Sequence, residues 1–184
     1  MNPIRVMVFI DNSNVYKCIA GLRKIDRKWI CLYNPLKLAQ KLTGDRNLVG
    51  TYFYCTPPPS YMLLTSEGKD KHAKQTKFYQ TIQRLSGIEV KFGNLQGIGA
   101  ELNEKNLDTQ LTADMVVSAA QNKFDTAILV SSDGDYVSAV KPTKEIFGKK
   151  IEVIYFKGHI STQLWQLADV PRKARPSFFE RLII

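Results

Sequence analysis

The sequence predicts an α/β domain with a mostly parallel central sheet of about five strands and helices on both faces, a three-layer Rossmann-like arrangement. Two observations carry that prediction. Short β-rich runs recur along the chain, and most are apolar on both faces, as strands buried in the middle of a parallel sheet are. Helical patterns fall between them, as right-handed crossovers between parallel strands require.

Taken in order, "IRVMVFI" (4–10) is the first strand, and a helical pattern follows from Asn12 to about Leu22. Residues 35–42 read as a short helix and "LVGTYFYC" (48–55) as the second strand. "TPPPS" (56–60) opens a loop expected to run to about Lys69, long enough to suggest a functional part. Phe78, Ile82 and Leu85 mark the buried stripe of a third helix, and "IEVKF" (88–92) is the third strand. Leu107, Leu111, Met115 and Ala119 recur every fourth position, which gives a fourth helix ahead of "TAILVSS" (126–132). Pro142 interrupts the next helical stretch and predicts a helix start or kink there, before "KIEVIYF" (150–156). Gly87, Gly93, Gly97, Gly99 and Gly148 punctuate the connections. The main domain is expected to span 1–168. Residues 169–184 form a basic, aromatic, Pro-punctuated extension that would pack as a final element or dock on a second copy in a homodimer.

A chain of 184 residues is long enough for one domain with a proper core. Its 26 Lys plus Arg against 17 Asp plus Glu give a net charge of +9, which suits contact with a polyanion. Cys18, Cys31 and Cys55 are odd in number and lack C-x-x-C spacing, so neither a disulfide framework nor a zinc site is suggested. The first apolar run is too short for a signal sequence, and no stretch approaches membrane-spanning length. A reduced, soluble, cytoplasmic protein with no membrane partner is the expectation.

Against this basic background, acids stand where strands should meet helices: Asp11 after the first strand, Asp108 and Asp114 around the start of the fourth helix, Asp133 and Asp135 after "AILVSS". Strand ends of an open α/β sheet share one crevice, so these carboxylates are expected to converge. Crowded carboxylates take up protons or bind a cation, and an all-oxygen site without His or Cys suits Mg²⁺ or Mn²⁺. Asp11, and one of Asp133 and Asp135, also have a plain role as helix caps. Asn12, Ser13 and Asn14 could cap without Asp11, and one cap does not account for both Asp133 and Asp135. Gly134 is expected to permit a sharp turn between that pair. Six residues at ~100° each put Asp108 and Asp114 roughly 120° apart, so both reach one crevice only if Asp108 lies in or before the first turn, with Asn103 or Asn106 as cap. Asn14, Lys105, Ser131 and Ser132 are the candidate supports for the acids or for a phosphate. His72 and His159 fit no nucleophile or base constellation.

"FIDNSN", "EKNLDTQLTADM" and "VSSDGDY" resemble the three acidic motifs of NYN domains, in the LabA/DUF88 group of the PIN-like nuclease superfamily. The family patterns D-x-x-N, K-x-x-D-x-x-L-x-x-D and S-x-D-x-D-[FY] are met by Asp11 and Asn14; by Lys105, Asp108, Leu111 and Asp114; and by Ser131, Asp133, Asp135 and Tyr136. Tyr136 stands where Phe is commoner and Gly134 where Ser is. The resemblance covers about residues 4–158. It implies a PIN-like domain and a Mg²⁺- or Mn²⁺-dependent ribonuclease, with Asp11, Asp114, Asp133 and Asp135 as metal ligands, Asp108 as a further catalytic acid, and RNA, or DNA, as substrate. Lys69, Lys71, Lys74 and Lys77, close to Tyr61 and Tyr79, are the candidate track for a single strand. A second reading is an RNA-binding or regulatory module without turnover. Phosphatases of the haloacid-dehalogenase type need an acid where Ser13 stands, topoisomerase-primase domains need a Glu after the first strand, and "GIGAE" lacks the third glycine of a dinucleotide loop.

Overall fold

Along the first strand, β1 (Arg5–Asp11), Val6, Val8 and Ile10 enter one hydrophobic cluster while Met7 and Phe9 enter another. The period-two alternation of a strand thereby divides the core into two layers on opposite faces of one sheet. The computed structural model describes residues 3–29, 32–96, 103–180 and 182, with the backbone alone at 94–96 and 103–105. After β1 come α1 (Asn12–Arg23), α2 (Pro35–Thr43) and β2 (Asn47–Cys55), then a 3-10 turn (Ser60–Leu64), α3 (Ser66–Gln83) and β3 (Glu89–Phe92). The short strands β4 (Asn94–Gln96) and β5 (Asn103–Lys105) pair antiparallel, and α4 (Leu107–Ala120) leads to β6 (Thr126–Val130). A 3-10 turn (Gly134–Tyr136), α5 (Val137–Glu145), β7 (Lys150–Tyr155), α6 (Thr162–Leu167), β8 (Val170–Lys173) and α7 (Pro176–Phe179) complete the chain.

The main sheet has six strands in the order β3, β2, β1, β6, β7, β8, and every pair is parallel. The chain winds outward from β1 to β3, then returns to lay β6 on the other side of β1. That reversal makes the carboxyl ends of β1 and β6 the topological switch point, where doubly wound sheets bind ligands. One face is covered by α1, α2, α3 and α7 through residues such as Val15, Leu38, Ile82 and Phe179. The other is covered by α4, α5 and α6, and Leu107, Leu111, Met115 and Ala119 of α4 are all buried there.

Several expectations change in detail. The sheet gains a sixth strand, β8, from a segment whose Pro171 and basic residues disguise it; as an edge strand it needs only one hydrogen-bonded side. The loop after "TPPPS" stops short of Lys69, because Thr65 Oγ1 accepts from the Gly68 amide at 3.1 Å and caps α3 at Ser66. Pro142 neither starts nor ends a helix: α5 begins at Val137 and runs through it. The tail lies on its own chain, with Phe179 fully buried and its ring centroid 5.2 Å from that of Tyr33 and 5.9 Å from that of Trp29. Cys18 and Cys55 are both buried, and Cys31, Gly97 and Gly99 lie outside the described residues. Among the described residues no helix is long and apolar enough to cross a membrane.

One buried acid is fully spoken for. Glu152 in β7, 5 % exposed, sits between the guanidinium groups of Arg46 and Arg172, the latter at 3.1 Å. Neutralising it would leave two arginines facing each other, so Glu152→Gln is expected to cost about 2 kcal/mol in urea denaturation. That figure is below the loss for a fully desolvated pair because both arginines are partly exposed.

Candidate active site

Asp11 closes β1 with the same facing as Met7 and Phe9, toward the α4 and α5 layer. Its Oδ1 accepts from the Asn14 amide at 3.0 Å, the ordinary work of a helix cap. The second oxygen is committed elsewhere: Oδ2 accepts from Ser131 Oγ at 3.1 Å and from the Tyr136 hydroxyl at 3.1 Å. With the residue 4 % exposed, burial pushes its pKa up to about 6 against these hydrogen bonds, and the nearby Asp108 charge adds to the rise.

The turn after β6 is tied to the turn after β1. Asn14 Oδ1 accepts from the Ser132 amide at 3.0 Å, and Ser132 Oγ accepts from the Phe156 amide at 2.9 Å, which binds the ends of three strands together. Ser131 Oγ accepts from the Asp133 amide at 3.2 Å while donating to Asp11. Asp133 in turn caps the following 3-10 turn by accepting from the Asp135 amide at 3.1 Å. Gly134 serves this turn by its small size and not by a left-handed backbone. Its φ is not positive, and a Cβ there would lie 3.0 Å from Ser161.

Asn106 enters α4 with φ 75°, a left-handed conformation that Asn tolerates, although its side chain makes no capping bond. Gly93 lets the helix start settle, since a Cβ at that position would meet Leu107 Cγ at 2.6 Å. Asp108 consequently lies in the first turn, and the Tyr136 hydroxyl donates to its Oδ1 at 2.7 Å. A phenol has one proton, and here two carboxylates compete for it. Asp114 is turned away toward β2, where its Oδ2 accepts from the Tyr54 hydroxyl at 2.9 Å and lies 3.8 Å from Lys91 Nζ. Tyr54 is in register beside Asp11, so Asp114 borders the site without lining its cavity.

That cavity, about 270 Å³, is lined by Asp11, Ser13, Asn14, Lys17, Leu107, Asp108 and Asp133. Three of the five predicted acids therefore share a wall. Asp135 is exposed outside it, and the Lys105 side chain lies outside the described residues. Among the described residues no ion pair engages Asp11, Asp108 or Asp133, in contrast to Glu152, and no three acids, His or Cys stand at metal-ligating spacing. Lys17 escaped the sequence reading, although Ser13, Asn14 and Lys17 fall on one helix face by their spacing. The N-termini of α1 and α4 both open onto the cavity, which favours negative charge there. The four lysines of the expected track are exposed on α3 but span roughly 200° of its circumference, and Lys71 is paired with Glu67 at 2.6 Å.

Comparison with known proteins places this geometry in context. The family model described as NYN domain matches residues 5–173. The chain is similar to the crystal structure of a protein of unknown function from Vibrio parahaemolyticus, with 19% identity, a TM-score of 0.66, and coverage of 97% of this chain and 96% of that one, which bears on the fold alone. None of the curated proteins compared matches.

Proposed function

Because the chain belongs to the NYN domain family of PIN-like nucleases, we propose that it is a metal-dependent ribonuclease of the LabA/DUF88 group that hydrolyses single-stranded RNA in the cytoplasm. The observation that carries this reading is the Tyr136 hydroxyl shared between Asp11 and Asp108 on the wall that Asp133 completes. One donor for two carboxylates leaves excess negative charge that a proton or a cation must balance.

The donor set fits Mg²⁺ or Mn²⁺. All candidate ligands are oxygens, and Mg²⁺ is usually held by one or two carboxylates, waters and substrate phosphate in place of an all-protein cage. One or two of the wall acids Asp11, Asp108 and Asp133 would hold the ion, with waters and substrate phosphate as its other ligands. Asp114 would steady Tyr54 beside Asp11, and Asp135 would fix the Asp133 turn through its amide. A bound divalent ion supplies an acidified water and neutralises charge developing on the phosphoryl group. The chain's own groups do the positioning. Ser131 and Tyr136 orient Asp11, Asn14 locks the two turns together, and Lys17 draws the phosphate to the cavity mouth.

Incubation of the purified chain with labelled single-stranded RNA is expected to give cleavage with Mn²⁺ and none with chelator. Absence of metal-dependent product would favour the alternative, an RNA-binding module without turnover. Tyr136→Phe removes the shared donor and keeps the ring. It is expected to raise the Mn²⁺ concentration for half-maximal cleavage about tenfold, in the range for lost outer-shell partners, with a far-UV spectrum like that of the parent.

A further inference from the structure

A second feature begins one residue from the acidic cavity. Ser13, on the cavity wall, has its Oγ 3.4 Å from Thr56 Oγ1 across the sheet edge. The next residues, Pro57 and Pro58, form one side of a groove of about 340 Å³ that also involves Tyr79, Gln83 and Phe92. A second groove, of about 510 Å³, lies further round α3 and takes in Lys77, Thr81 and Arg84. The two share His72, Thr76 and Gln80, which recur every fourth residue and so make one continuous stripe along the helix. Across this surface the chemistry changes in order. Flat apolar groups come first, then hydrogen-bonding side chains, then cations.

The cations are uncommitted. Lys77 and Arg84 are exposed, and among the described residues neither is in an ion pair, whereas Lys71 is held by Glu67. Lys69 and Lys74 line neither groove. Phe92 is half-buried, its ring edge-on to Tyr79 at 5.6 Å, and Pro57 and Pro58 stand on the same wall. Aromatic and proline faces beside cations are what a single-stranded polynucleotide needs: surfaces for bases on one side and charges for phosphates on the other.

We propose that single-stranded RNA, with its scissile phosphate at the acidic cavity, crosses Thr56 and lays its next nucleotides along the His72, Thr76 and Gln80 stripe. Bases face Pro57 and Phe92, and phosphates face Lys77 and Arg84. The track is therefore carried by one of the four lysines first singled out, together with an arginine beyond them. This rests on the ribonuclease reading for its polarity, but the binding itself can be tested apart from catalysis.

The test is fluorescence anisotropy with a short fluorescein-labelled oligouridylate, using the full chain carrying Asp11→Asn so that the strand stays intact. Adding Lys77→Glu with Arg84→Glu is expected to weaken binding by about tenfold or more, and to lower the salt slope by about 1.4, since each single-strand phosphate contact contributes roughly 0.7. Lys69→Glu with Lys74→Glu, the same charge change on α3 but away from the grooves, is expected to weaken it less than about threefold. Equal losses from the two pairs, or no loss from the first, would overturn the track. Weaker binding in the groove variant, combined with no cleavage by the unsubstituted chain in Mn²⁺, would keep the track and remove the nuclease reading. Cleavage by the unsubstituted chain with unchanged binding in the groove variant would do the reverse.

Discussion

Asp11→Asn is expected to abolish metal-dependent RNA cleavage, by about a thousandfold or more, while making the protein harder to unfold near neutral pH. Both effects come from the same burial. A carboxylate that is 4 % exposed has its pKa pushed by burial up to about 6 in the fold, against an ordinary 3.8, so the folded state resists its ionisation. Below the unfolded value the group is protonated in both states and stability is unaffected. Through the window from 3.8 to about 6 the unfolded chain ionises first, and stability falls as pH rises. Above that window the full penalty stands, on the order of 3 kcal/mol for about two units at 1.36 kcal/mol each. Asn carries no such penalty and can still accept from the Asn14 amide. Its midpoint of thermal unfolding at neutral pH should therefore rise by several degrees, at about 2–4 °C per kcal/mol, and the gain should vanish near pH 4. A variant both inactive and stabilised marks a residue kept for chemistry. Retained cleavage would place the reaction elsewhere, and a loss of stability at neutral pH would mean that the hydrogen bonds to Oδ2 outweigh the burial cost.

Phe179→Ala is expected to cost about 3–5 kcal/mol, the loss typical of a large aromatic removed from a packed interior. The ring is fully buried against Trp29, Tyr33 and Phe156, with centroids 5.2–6.2 Å away. It also clamps the end of the chain: the Asn34 amide donates to the Leu182 carbonyl at 2.6 Å, and Leu182 is itself buried. Urea denaturation measures the loss, and limited proteolysis should then release the last residues. A cost below about 1 kcal/mol would show the tail to be peripheral to the core.

How far the sequence could lead depended on how strongly each residue was constrained by its neighbours. The five apolar runs and the four-residue spacing from Leu107 to Ala119 specified strands and a helix without ambiguity, because burial on both faces leaves little freedom of composition. β8 carries no such signature. Being an edge strand, it accommodates Pro171, Arg172 and Lys173, the residues that made it read as an extension. Within the site, Asp11 and Asp133 were legible from strand ends alone. Choosing between Asp108 and Asp114 was not possible from spacing, which only set them on different faces. The left-handed Asn106 fixes where α4 begins and so brings Asp108 inward. Nor does any linear pattern announce that the Tyr136 hydroxyl would meet two acids lying 125 and 28 residues away in the chain.

Calorimetric titration of Mn²⁺ into the unsubstituted protein and into Asp108→Asn tests the central claim most directly, because it reads the gathered carboxylates without requiring a substrate. Saturable binding to the first, weakened by about tenfold or more in the second, is the expected result. Saturable binding that Asp108→Asn leaves unchanged, or no binding to the unsubstituted chain, would contradict a cation site at the junction of β1, β6 and α4.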